Sequence, residues 1–249
     1  MRAGVWKPRT EPGNFEGVGA PALPWLQAAK AATGLKMAIE VAKPEHIELA
    51  LKHDIDILWL GARTVVNPFV VAELAEALRG TNVPVMVKNP SAPDLKLWTG
   101  SINRLVNVGI TKIAAIHRGF STYEKIAFRN DPIWTIPIDF RRAMPEVPLI
   151  NDPSHITGKR DLVSAIAQKA MDLAFDGLMI ETHPTPETAW SDAAQQITPD
   201  ALTALLNTLN IPYGVNGIAA SNYTCKPDLE LRRGAVSYTH LTLPTNREV

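Results

Sequence analysis

Short apolar runs recur along the chain, each followed by a polar turn and then a helical pattern. The runs are "KMAIEV" (36–41), "DILWLGA" (56–62), "VPVMVKN" (83–89), "TKIAAIHR" (111–118), "VPLINDPS" (147–154) and "DGLMIETH" (176–183). They are too short for helices and lack strict alternation, the pattern of strands buried on both faces of a parallel sheet. Between them lie amphipathic segments: "KPEHIELALKH", "NPFVVAELAEALRG", "DLKLWTGSINRLVNVG", "GKRDLVSAIAQKAMDLAF" and "TPDALTALLNTLN". Asn67 before Pro68 and Thr198 before Pro199 read as helix starts, a cap residue followed by proline in the first turn. Gly80 and Gly109 read as helix ends.

Counting "RAGVW" near the N-terminus as a strand makes seven βα units. That count suits either a doubly wound sheet or a (β/α)8 barrel with one strand unaccounted for. The positions of the reactive side chains separate the two. Each strand ends in one or more of them: Lys7 and Arg9, Glu40, Arg63, Lys88, Arg118, Asp152 with His155, and Glu181 with His183. Chemistry at the carboxyl end of nearly every strand is the barrel arrangement, whereas an open sheet concentrates it at one crevice. The expected fold is an α/β TIM-type barrel lacking its first strand.

Composition narrows the partners. The 249 residues are 46% hydrophobic and carry a formal net charge of +0, so no global field draws the chain to nucleic acid or an anionic membrane. No apolar run approaches the length of a membrane span, and no aromatic-interleaved basic face suggests nucleic-acid binding. The single Cys225 excludes an intrachain disulfide and fits a reducing compartment. The expectation is a soluble, cytoplasmic protein without nucleic-acid or membrane partners.

Two sets of residues carry candidate chemistry. Cations stand at separate strand ends: Lys7 with Arg9, Arg63 in "GART", Lys88 in "VKN" and Arg118 in "HRG". A lone cation of this kind is usually a surface ion pair. Four at equivalent positions, two beside glycines that admit a close ligand, favour an anion site with room for more than one anionic group. The second set is His155 in "NDPSH", Glu181 in "IETH" and Asp192 in "WSDAAQQITP". One nitrogen and two oxygen ligands suit Mn, Fe, Co or Zn. The alternative is structural: His155 capping a helix, Glu181 paired with a lysine, Asp192 opening a turn. Spacing does not decide between them. His46 and His53 read as helical surface residues, Trp59 and Trp98 as core, and His117 as either reaching the barrel mouth or packing.

Taken in order, "KPRT", "GART", "VKN", "HRG", "DPSH", "IETH" and "SDAAQQITP" resemble 3-deoxy-D-arabino-heptulosonate 7-phosphate (DAHP) synthase, over residues 1 to 210. "RAGVWKPRT" with "HRGFSTY" is most similar to the short, barrel-only class, in particular the form fused to a C-terminal chorismate mutase. The resemblance implies condensation of phosphoenolpyruvate with erythrose 4-phosphate, the entry step of the shikimate pathway. By position it implies that Arg2, Arg63, Lys88 and Arg118 bind phosphoenolpyruvate, and that Lys7, Arg9 and Thr10 hold erythrose 4-phosphate. It makes His155, Glu181 and Asp192 ligands of a divalent metal. Lys88 would handle the proton near the reacting centre, assisted by His155, and the enzyme would be a homo-oligomer.

The family's fourth metal ligand is a cysteine in a "GPC"-type turn on the first strand, and no such turn occurs in the sequence. The resemblance therefore implies a chain that begins inside the family's sequence, with weaker metal affinity and an exposed strand edge. Residues 211–235 read as a linker, with "PDLELRR" (227–233) resembling the opening of a mutase helix. Residues 236–249 read as a non-native tail. Two other readings remain. One is a sister synthase of 3-deoxy-octulosonate 8-phosphate, against which "KPRT" argues because that relative carries a "KANR"-type motif there. The other is a barrel that binds anions without turnover.

Overall fold

A computed structural model describes residues 1–211 and the backbone of 235–237. The expected linker and mutase-like helix, Cys225, and the tail beyond Ser237 lie outside the described residues. The chain divides into two compact units, one formed by 1–116 with 133–147, the other by 117–132 with the chain from 148 onward.

The first unit holds strands β1 (Arg2–Ala3), β2 (Ala38–Val41), β3 (Ile57–Leu60) and β4 (Val85–Lys88), and all but the last residue of β5 (Ile113–His117). Each pairs in parallel with the next. Every residue of β3 and β4 is buried, which explains why their sequences do not alternate. Helices α1 (Leu23–Thr33), α2 (Pro44–Lys52), α3 (Pro68–Leu78), α4 (Leu95–Asn107) and α5 (Thr135–Ala143) accompany the strands, α2 packing on α3, α3 on α4 and α4 on α5. The Asn67 cap forms as the sequence predicts, its side chain accepting from the amides of Phe69 and Val70. Gly80 and Gly109, just past α3 and α4, have φ of 78° and 92°, as helix ends require. Trp98 lies in the core as expected; its indole N–H donates to the Val87 carbonyl at 3.1 Å, and its ring meets Phe140 at 4.3 Å.

The second unit holds β6 (Leu149–Asn151) and β7 (Gly177–Ile180), with α6 (Pro153–Thr157), α7 (Val163–Asp172) and α8 (Pro199–Thr208). The amide of Asp152 donates to the carbonyl of His117 at 2.7 Å, continuing the ladder from the end of β5. An eighth strand, β8 (Ala235–Ser237), pairs in parallel with β7. The sequence reading, which set the chain from 236 aside, did not anticipate it. Strand order follows chain order throughout, with helices between, which is (β/α)-barrel connectivity. Among the described residues, no helix is long and apolar enough to cross a membrane.

Two expectations need correction. "RAGVW" is a strand only at Arg2–Ala3, because the Val5 carbonyl turns to accept from the Gly19 amide at 2.8 Å. His46 is half-buried rather than a free surface residue: its ring stacks on Trp6, centroids 4.0 Å apart and planes 2° from parallel, and its Nδ1 accepts from the Ala42 amide.

Candidate functional site

In the first unit, strand register decides which side chains share a face. Arg2 pairs with Ala38, Glu40 with Trp59, and Trp59 with Met86. With a side-chain period of two, Arg2, Glu40, Trp59 and Lys88 therefore point to the same side of the sheet. The contacts agree. The Arg2 guanidinium lies 4.9 Å from the centroid of the Trp59 ring, and the Trp59 N–H donates to a Glu40 carboxylate oxygen at 3.2 Å. Arg2, Trp59 and Lys88 are buried. Burial pushes the Glu40 carboxyl above the usual carboxylate range, and Lys88, Arg2, the Trp59 N–H and Lys7 pull it partly back.

The loop after β1 carries Lys7, Arg9 and Thr10. Lys7 and Arg9 are half-buried and Thr10 is exposed. Exposed Arg63, after β3, reaches this loop: its Nε donates to the Thr10 hydroxyl at 2.9 Å and its Nη1 to the Pro8 carbonyl at 3.4 Å. Arg63 of "GART" is thereby joined to "KPRT", 53 residues away in sequence. The glycine before it admits a protein group and not only a ligand. A Cβ on Gly61 would stand 1.9 Å from Oε1 of Glu40.

In the second unit, Arg118 is buried and its Nη1 donates to Oδ1 of Asn130 at 2.8 Å. The neighbouring Gly119 has φ of 75°, and a Cβ there would meet Cβ of Asn130 at 2.9 Å. Here too the glycine serves the protein's own packing, a role the sequence reading assigned to ligand approach alone. Asn130 also donates from Nδ2 to the carbonyl of His155 at 2.6 Å. His117 packs inside: one ring nitrogen meets the Pro132 carbonyl at 2.7 Å, the other the Asn151 amide at 3.0 Å. Burial lowers its pKa to about 3; the Pro132 carbonyl opposes this, Arg118 adds to it, and Asp152 opposes it.

Two of the three expected metal ligands converge. His155 Nε2 lies 3.7 Å from Oε1 of Glu181, while its Nδ1 lies 2.8 Å from the Asp152 carboxylate. An imidazole held by a carboxylate on one nitrogen and presenting the other is the usual posture of a metal-ligating histidine. Asp152, not His155, caps α6, its Oδ1 accepting from the His155 amide. Glu181 is fully buried, and Gln195 Nε2 donates to its Oε2 at 2.7 Å. Asp192 opens a turn, in the left-handed region at φ 55°, and its carboxylate meets Arg129 Nη1 at 2.9 Å. Arg129 donates to Gln195 as well, so a chain of hydrogen bonds runs from Asp192 through Arg129 and Gln195 to Glu181. Among the described residues, no three His, Cys, Asp or Glu side chains gather closely enough to hold a metal. His155 and Glu181 lie side by side, and the Asp192 carboxylate meets Arg129.

Three residues make contacts that the sequence does not show. Glu40 was visible only as an acidic strand end, and Trp59 only as an apolar residue in a buried strand. Asn130 had no signal beyond its polarity. All three depend on contacts across the sheet or between distant loops.

The chain is similar to known proteins along most of its length. The profile of the DAHP synthetase I family matches residues 1–211. A phospho-2-dehydro-3-deoxyheptonate aldolase from Thermotoga maritima is 32% identical over 197 residues, covering 79% of this chain and 56% of that protein. A crystal structure of the Thermotoga maritima aldolase (DAHP synthase) matches with a TM-score of 0.72 at 30% identity, over 82% of this chain and 58% of that one. A 2-dehydro-3-deoxyphosphooctonate aldolase from Parasynechococcus marenigrum is 26% identical over 208 residues, covering 78% of this chain and 70% of that protein. The chain spans a little over half the length of the Thermotoga relative. With the family profile covering every described motif from "KPRT" to "SDAAQQITP", the chain belongs to the DAHP synthetase I family.

Proposed function

We propose that the chain condenses phosphoenolpyruvate with erythrose 4-phosphate to give 3-deoxy-D-arabino-heptulosonate 7-phosphate and inorganic phosphate. The carrying observation is the hydrogen bond from Arg63 to Thr10, which joins "GART" to "KPRT" and supports one anion-binding surface built from two family motifs. Arg2, Arg63, Lys88 and Arg118 would bind the carboxylate and phosphate of phosphoenolpyruvate. Lys7, Arg9 and Thr10 would hold the aldose phosphate. In the reaction, C3 of phosphoenolpyruvate attacks the aldehyde carbon, water adds at C2, and phosphate leaves with its electron pair. Fixed cations lower the barrier by placing both carbons and by neutralising phosphate charge. Lys88, buried at the end of β4, would pass the proton near the reacting carbons, assisted by His155.

His155 and Glu181 would hold a divalent metal (Mn, Fe, Co or Zn), with Asp192 as third ligand. When bound, such an ion supplies Lewis-acid polarisation of the aldehyde oxygen. Asp152 would fix the His155 ring for that task. We further propose a cytoplasmic homo-oligomer, with residues 1–210 as the catalytic domain.

The octulosonate relative keeps a second reading open, a sister synthase that takes a pentose phosphate. Product analysis after incubation with phosphoenolpyruvate, Mn²⁺ and either erythrose 4-phosphate or arabinose 5-phosphate separates the two. A seven-carbon product supports the proposal; preference for the pentose phosphate refutes it.

A further inference from the structure

We infer that Trp59 is a positioning residue for the anion site: the face of its indole carries the Arg2 guanidinium, and its N–H holds the Glu40 carboxylate. The inference rests on the reading above that Arg2 binds phosphoenolpyruvate. Arg2 stands in a strand of two residues, so its backbone alone fixes a long, rotamer-rich side chain poorly. The indole supplies what that strand lacks. Trp59 sits in the third position of β3, whose four residues are all buried, and is paired on both sides, with Glu40 and with Met86. A ring held this way is a rigid platform. The Arg2 guanidinium at 4.9 Å from its centroid is within cation–π range, and both groups are desolvated, where that contact is strongest.

The other end of the ring acts on charge. Glu40 is faced by Lys88 from β4, Arg2 from β1, Lys7 from the loop after β1, and the Trp59 N–H from β3. Gly61 leaves room for its carboxylate to reach the indole. The N–H bond favours the ionised carboxylate, so the ring also sets how much negative charge an incoming anion meets.

The test is calorimetric titration of phosphoenolpyruvate into the full 249-residue chain and into Trp59→Leu and Trp59→Phe, across pH, with folding checked by circular dichroism. Trp59→Leu removes both contacts and weakens binding by about 3- to 30-fold, the range of a desolvated cation–π contact. Trp59→Phe keeps the ring and restores affinity at neutral pH to within about 3-fold, because the stack survives. It also displaces the affinity–pH profile to higher pH, since Glu40 without its donor takes up a proton more readily and repels the anion less. Wild-type affinity in a folded Trp59→Leu overturns the inference while leaving the proposed function standing. If Trp59→Leu does not fold, Trp59→Phe decides: an unshifted profile, or affinity more than about 30-fold down, overturns the inference. No binding to the wild-type chain overturns both this inference and the function on which it rests.

Discussion

Lowering the pH from 6.5 toward 3 acts on His117 differently in the folded and the unfolded chain. Unfolded, the ring has an ordinary pKa of about 6.5. Folded, it is fully buried, bonded at both nitrogens, and depressed to about 3. A histidine whose folded pKa is lowered leaves stability intact above the unfolded pKa. As pH falls below that value the unfolded chain takes up a proton and the folded chain does not. Each pH unit in this window costs about 1.4 kcal/mol, so roughly 3 kcal/mol is lost by pH 4.5 and about 5 kcal/mol by pH 3. His117→Gln keeps an amide that can donate and accept but does not titrate. Urea unfolding of both proteins over a pH series reads the difference between their stabilities. That difference should be flat above about pH 6.5 and fall by about 1.4 kcal/mol per unit below it. A difference constant down to pH 4.5, or an imidazole resonance titrating near 6.5, would refute the reasoning.

Two further substitutions probe packing. Gly119→Ala forces a side chain into φ 75° and against Asn130, and should cost about 2–4 kcal/mol, whereas Gly80→Ala, at φ 78° with nothing within 4 Å, should cost only about 1 kcal/mol; equal losses in denaturant unfolding would contradict the Asn130 contact. Trp98→Ala removes a fully buried ring, its contact with Phe140 and its bond to Val87, and should cost about 3–5 kcal/mol by thermal or urea unfolding; a loss under about 1 kcal/mol would place Trp98 outside the core.

The strands were legible because a parallel strand buried on both faces leaves a short, unbroken apolar run, as "DILWLGA" and "VPVMVKN" do. The helices with a broad apolar stripe were legible too, α2, α3, α4, α7 and α8 among them. Helix α1 was missed because it buries only Leu23 and Leu26, too few to write a periodicity. Helix α5 was missed because Pro137 interrupts its first turn, and α6 because it is five residues long. At the site, residue types at strand ends were readable, while their partners were not. An unbroken apolar strand hides which of its side chains share a face, so Trp59 joined the site only once its register with Glu40 was known. Likewise Asp192 meets Arg129 from 63 residues away, and His117 meets Asn151 from 34, separations over which local pattern carries no information. The three residues expected as metal ligands show the same limit: His155 and Glu181 come together, while the loop holding Asp192 is tied to Arg129.

The central claim is that this chain performs chemistry on phosphoenolpyruvate rather than only binding it. The most direct measurement follows phosphoenolpyruvate and inorganic phosphate together, with Mn²⁺ present and erythrose 4-phosphate either added or withheld. The account predicts consumption only when the aldose phosphate is added, with one phosphate released for each phosphoenolpyruvate consumed. Phosphoenolpyruvate that binds yet persists with both partners present would contradict it and leave an anion-binding barrel without turnover.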